Sequence, residues 1–144
     1  MENVNFLALI VAALSTLVVG FVWYHPKVFG AVWMKETGLT EEDCKKGNMV
    51  LIFGISVVVA FFVAFFLWML VFMGGPEDMP HGVAPFLTFK HGALHGSMLA
   101  LFVVMPVIVT NALFEQRSFK YIAIIVGYWL VSFALMGGII NAWV

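Results

Sequence analysis

Four long runs of apolar residues divide the chain, and each is long enough to cross a lipid bilayer as a helix. They cover about residues 5–24, 49–73, 86–110 and 119–142, and none of them contains Asp, Glu or Arg. A transmembrane helix needs roughly 20 mostly apolar residues. The pattern therefore predicts an all-α fold, a four-helix antiparallel bundle that spans the membrane as a single domain over residues 1–144.

The connection between the first two runs has a pattern of its own. Residues 27–37 are amphipathic, with Phe29 and Trp33 on one helical face, which predicts a short helix lying in the membrane interface. Thr40 and Asp43 are spaced as a capping box for the helix that follows.

Composition supports the membrane assignment and excludes other classes. The chain of 144 residues is 63% hydrophobic and only 10% charged, which leaves too little polar surface for a water-soluble fold. The net charge of −1 gives no basic surface for nucleic acid, so we expect no nucleic-acid partner. Cys44 is the single cysteine, so no disulfide can form within the chain.

The positive charges predict an orientation. Short cytoplasmic loops of membrane proteins accumulate Lys and Arg. All but one of the seven Lys and Arg residues lie in the first and third loops, and the exception is Lys90. We therefore expect a multi-pass protein of a cytoplasmic (inner) membrane, with loops one and three in the cytoplasm and both termini outside.

Two histidines near the start of the third run are the main candidates for chemistry. His91 and His95 are four residues apart and so share one face of a helix. Two imidazoles at that spacing can hold a metal ion, and His81 in the preceding loop is a third possible ligand. Three interpretations stay open: hydrogen bonding inside the bundle, a proton or solute pathway, and a metal or haem site. Partners for such hydrogen bonds would come from a polar stripe on the fourth helix, formed by Tyr121, Tyr128 and Ser132.

Small residues at four-residue spacing indicate where helices pack closely. Gly92 and Gly96 show this spacing in the third helix, and Ala60 and Ala64 show it in the second. No catalytic residue is predicted, because no nucleophile has a base beside it, and no cofactor is expected.

The segment Gly20-Phe21-Val22-Trp23-Tyr24-His25-Pro26-Lys27-Val28-Phe29-Gly30-Ala31-Val32-Trp33 resembles the signature of a bacterial membrane family, domain of unknown function 1761 (DUF1761). The resemblance continues to the end of the chain and implies a four-helix membrane protein without implying an activity. The physical interpretation of the segment is an elbow. Pro26 ends the first helix, Gly30 allows a close turn, and the rings of Trp23, Tyr24, Phe29 and Trp33 anchor the chain at the headgroup level or line a groove for a lipid.

Three functional hypotheses follow from the sequence. The first is a non-enzymatic protein that works as a homo-oligomer or beside another membrane protein. The second is a metal- or haem-binding redox or transport protein that uses His91 and His95. The third is a protein that binds a lipid or a small apolar ligand under the elbow. Under all three hypotheses, membrane lipids are expected partners.

Overall fold

The computed structural model of the chain describes residues 4–73 and 85–143, without the side chains of residues 72 and 73. The described residues form helices joined by short turns and contain no strand. Their helices are α1 (Phe6–Trp23), α2 (Ala31–Thr37), α3 (Glu41–Lys45), α4 (Met49–Met73), α5 (Phe89–Leu99), α6 (Met105–Phe114) and α7 (Phe119–Ala142).

Within the described residues, four helical segments are long and apolar enough to cross a membrane. They are α1, α4, the continuous helix Phe89–Phe114 and α7. The third of these joins α5 to α6 through a wider π-helical turn, Ala100–Val104. Pro106 explains the turn, because a proline ring clashes with the carbonyl four residues earlier and a widened turn relieves the clash. The predicted four-helix bundle is thus confirmed.

Polar side chains set where the helices begin. Asn5, Asn48, Thr88 and Ser118 each accept a hydrogen bond from a backbone N–H in the first turn of a spanning helix. The third spanning helix was expected at residues 86–110, yet it starts later because Thr88 caps it. It also ends later, at Phe114, where Glu115 and the positive φ of Gln116 (56°) turn the chain.

The connection after α1 is more divided than the sequence indicated. A π-helical turn, Pro26–Gly30, precedes α2, so the expected interfacial helix over residues 27–37 is two elements. The capping box of Thr40 and Asp43 is present, but it caps the start of α3, a separate short helix, rather than the start of the spanning helix α4.

The bundle has two ends, which we call the elbow end and the Asn5 end. The elbow end holds the turn after α1 together with the starts of α4 and α7. At the Asn5 end, Asn5 Nδ2 donates to the Trp143 carbonyl, so α1 begins where α7 finishes. Helix α7 is central, because it contacts α1, α4 and α5. The core between these helices is formed by Leu9, Ala12, Ala64, Leu67, Ala100, Phe133, Met136 and Ile140.

Helix α4 joins this core only through its second half. Ala60, Ala64, Leu67 and Val71 are buried at four- and three-residue spacing, which marks the packed face. The first half of α4, residues 49–59, has no buried residue. An open space therefore remains beside the first half of α4, at the elbow end.

Candidate functional site

The elbow is held by a close approach of the backbone. Pro26 follows His25, whose extended backbone lies outside the helix and whose Nδ1 accepts the Lys27 N–H at 3.2 Å. Gly30 is buried, and a Cβ at this position would overlap the Tyr24 carbonyl oxygen. Only glycine permits this approach, and the chain turns back toward the bundle as a result.

The aromatic residues of the elbow contact each other and α7. Trp23 Nε1 donates to the Ile124 carbonyl at 3.0 Å, and the Phe29 ring lies 4.6 Å from the Trp23 ring. Tyr24 lies between Trp33 and Tyr128, with ring centroids 5.5 and 5.4 Å away. The four anchors named from the sequence therefore form two ring pairs against the fourth spanning helix, and we call these pairs together the aromatic cluster.

A cleft of about 1010 Å³ lies beside this cluster, between α1, α4 and α7. Its walls are mainly apolar and come from one face of each helix. Helix α1 gives residues from Thr16 to Phe21, α4 gives residues from Ile52 to Val63, and α7 gives Tyr128, Trp129 and Met136. The cleft exists because the first half of α4 does not reach the core.

The polar residues that line the cleft are Tyr24 and His25 at its elbow end, and Thr16, Ser56 and Tyr128 further along the helices. Burial raises the pKa of the Tyr24 phenol, and the neighbouring tyrosines raise it further, so this group stays a neutral hydroxyl. Because Nδ1 of His25 accepts the Lys27 N–H, Nε2 is the ring's donor. Deeper inside, Tyr128 Oη donates to the Thr16 carbonyl at 3.2 Å.

The histidine pair lies at the opposite end of the bundle. His91 and His95 face each other in the first turns of α5, with 3.1 Å between their Nε2 atoms and 4.6 Å between their ring centroids. The Phe86 ring is 5.2 Å from the His91 ring. His81, the third predicted ligand, lies outside the described residues. In the part that is described, no group of three or more His, Cys, Asp or Glu residues could hold a metal.

The glycines beside the histidines fix α5 against α7. A Cβ on Gly92 would overlap the Gly137 carbonyl oxygen, and a Cβ on Gly96 would overlap the Phe133 carbonyl oxygen. The two backbones thus touch, as small residues at this spacing permit in membrane helices. Ala60 and Ala64, the other predicted packing pair, are both buried on α4.

The three residues of the predicted polar stripe on α7 lie in different surroundings. Tyr121 lies in the first turn, at the elbow end, with the Arg117 guanidinium 5.3 Å from its ring. Tyr128 binds α1 rather than α5. Ser132 is fully buried and lies within reach of the Tyr128 phenol, four residues earlier on the same helix.

Asn141 is a positioning residue that the sequence interpretation did not identify. It is fully buried, and its Nδ2 donates to the carbonyls of Phe86 and Thr88, both at 2.7 Å. These two bonds hold the chain that leads into α5, just before His91. A lone amide in an apolar helix was the available signal, because such a group in hydrocarbon must find a partner.

Comparison with known proteins gives one family. The sequence model of a family described as protein of unknown function (DUF1761) matches residues 7–141. No curated protein and no solved structure matches the chain.

Proposed function

The chain belongs to the DUF1761 family, and on that premise we propose that it is a non-enzymatic multi-pass membrane protein that binds a lipid or a similar amphiphile in the cleft beside the elbow. The observation that carries the proposal is the cleft itself. Its volume of about 1010 Å³ lies at the upper end of the range for small-molecule sites.

The distribution of polarity in the cleft fits an amphiphile. The walls between α1, α4 and α7 offer apolar side chains to a hydrocarbon tail. The elbow offers His25 Nε2–H and the neutral Tyr24 hydroxyl to a polar head, at the level where tyrosine and tryptophan belts meet headgroups. A ligand would then lie along the helices with its head at the elbow.

Shape supports the same function. Of the four elbow rings only Tyr24 lines the cleft, and it is held between the rings of Trp33 and Tyr128, so the elbow side of the cleft is preformed. The opposite wall is the first half of α4, which has no fully buried residue and is therefore less tightly held than the second half. A firm wall opposite a less constrained one suits a protein that binds ligands of different width.

Two consecutive valines on α4 make a matched test. Val59 lines the cleft and Val58 does not, and their exposed fractions are 52% and 57%. We expect Val59→Trp to fill the cleft and reduce the number of lipids retained in native mass spectrometry from a mild detergent. Val58→Trp adds the same bulk outside the cleft, in a smaller groove of about 470 Å³ on α4, and should retain lipid in the cleft as the unchanged protein does.

The outcome against lipid binding is equally definite. Equal lipid retention in both variants, or no lipid in the unchanged protein, would contradict lipid binding in the cleft.

The same spectra report the protein mass and so test a second candidate function, a homo-oligomer or a subunit of a membrane complex. The open first half of α4 favours that candidate, because a helix of another chain could occupy the space. A dimer that Val59→Trp dissociates would support it.

A further inference from the structure

The histidine pair on α5 has a geometry that the cleft does not explain. His91 and His95 lie at the Asn5 end, whereas the cleft opens toward the elbow. Their Nε2 atoms are 3.1 Å apart, and both side chains are half-buried. Two imidazole nitrogens at this distance either share one proton or share one cation.

The distance fits two ligands of one metal ion. Metal–nitrogen bonds to histidine are about 2.0–2.1 Å, and two such bonds at an angle between a right and a tetrahedral angle place their nitrogens roughly 2.8–3.4 Å apart. The observed 3.1 Å lies within that interval. The proton-sharing alternative requires one ring to donate from Nε2 while the other accepts there, so the accepting ring must carry its proton on Nδ1.

The backbone of α5 that carries the two histidines is held in place before any metal binds. Gly92 and Gly96, the residues that follow each histidine, contact the backbone of α7. Thr88 Oγ1 accepts the His91 N–H at 3.2 Å, and Asn141 binds the carbonyls of Phe86 and Thr88. A chelating pair on a rigid helix loses little conformational freedom when it binds a metal.

We propose that His91 and His95 together bind one divalent transition-metal ion of the class that prefers imidazole, such as Zn²⁺, Cu²⁺ or Ni²⁺. The two imidazoles would supply two of the ligands of that ion. The proposal is independent of lipid binding, because the two sites lie at opposite ends of the bundle.

The test uses the full chain in lipid nanodiscs, purified with a tag that contains no histidine. Cu²⁺ is added and followed by electron paramagnetic resonance, which reports how many imidazole nitrogens bind the ion. We expect saturable binding of one ion with two imidazoles. Because the loss of an outer partner alone weakens metal sites about 10–100-fold, we expect His91→Ala and His95→Ala each to weaken binding about tenfold or more.

His25→Ala provides the matched control, since His25 is at the elbow, and it should leave affinity and spectrum unchanged. A shift of the melting temperature on adding Zn²⁺, present in the unchanged protein and absent in either α5 variant, tests the same site without copper. The proposal is overturned if the double variant His91→Ala/His95→Ala, melting as a folded protein, keeps the two-imidazole spectrum. It is also overturned if the unchanged protein binds no copper saturably.

Discussion

The two sides of α7 are packed in opposite ways. Toward α5 the helix presents Gly137 and Gly138, and the backbones touch. Toward the first half of α4 it presents Tyr128 and Trp129, which line a cleft. We call the contact with α5 the tight side of α7 and the cleft beside the first half of α4 its loose side.

The difference teaches how this small bundle divides stability and binding. In a membrane, apolar side chains gain little by leaving lipid, so association depends on close packing and hydrogen bonds. The α5–α7 pair has both, through its glycines and Asn141. In the described structure, the first half of α4 shows neither a close backbone contact nor a hydrogen bond to α7, and the cleft that we propose as the ligand site lies there.

The largest effect should come from adding bulk at the tight side. Gly96→Val places side-chain atoms where the Phe133 backbone lies, and α5 must move away from α7. We expect a loss of about 3 kcal/mol or more in the free energy of unfolding, measured by denaturant titration in detergent micelles.

Gly54→Val is the matched control on α4, because a Cβ at Gly54 meets no atom within 4 Å. It should change stability by no more than about 0.5 kcal/mol. Equal losses in the two variants would show that the α5–α7 contact is not the tight side of the bundle.

A smaller effect should follow from removing the buried amide of the tight side. Asn141→Leu keeps the size of the side chain but leaves the Phe86 and Thr88 carbonyls without their bonds to Nδ2. We expect a loss of about 1–3 kcal/mol in the same titration.

Ser56→Ala gives the corresponding change at the cleft. Ser56 Oγ donates to the Ile52 carbonyl of its own helix, and the residue is exposed. Its removal should cost no more than about 0.5 kcal/mol. If Ser56→Ala cost as much as Asn141→Leu, hydrogen bonds would not distinguish the two sides.

The sequence predicted the tight side better than the loose one. Apolar runs locate the spanning helices, and the spacing of Gly92 and Gly96 is a local signal that requires no knowledge of the partner. The shift of the third helix to Phe89–Phe114 follows from the Thr88 cap and from the π-helical turn that accommodates Pro106. The cap and the turn depend on single residues, whereas the predicted bounds were taken from the length of the apolar run.

The cleft has no comparable signal in the sequence. Its existence depends on how far the first half of α4 stands from α1 and α7, and α4 is apolar on every face, so no stripe indicates which residues pack. Val58 and Val59 are alike in sequence, yet only Val59 lines the cleft. The histidine pair was visible as a spacing, whereas the 3.1 Å between its nitrogens depends on side-chain conformations that spacing does not determine.

The smallest effect concerns the connection between α1 and α4, which contains α3 and precedes the first half of α4. In α3, hydrogen bonds from Lys46 and Thr40 lower the pKa of Asp43 to about 2. A lowered pKa means that the charged carboxylate stabilises the folded form above the ordinary value near 3.8, and that this support is lost as the pH falls toward 2. Because Asp43 lies at the surface and the capping box caps a helix of only five residues, the loss of stability should be confined to α3.

Hydrogen exchange of the α3 amides, followed by mass spectrometry, measures this effect. Exchange rates corrected for the intrinsic effect of pH should rise in α3 between pH 4 and pH 2, while α7 stays protected throughout. Asp43→Asn should show the faster α3 exchange at neutral pH, and Glu42→Gln, which removes a neighbouring charge outside the box, should not. Loss of protection in α7 together with α3 would mean that the loop and the tight side unfold as one unit, and the two sides of α7 would then not be independent.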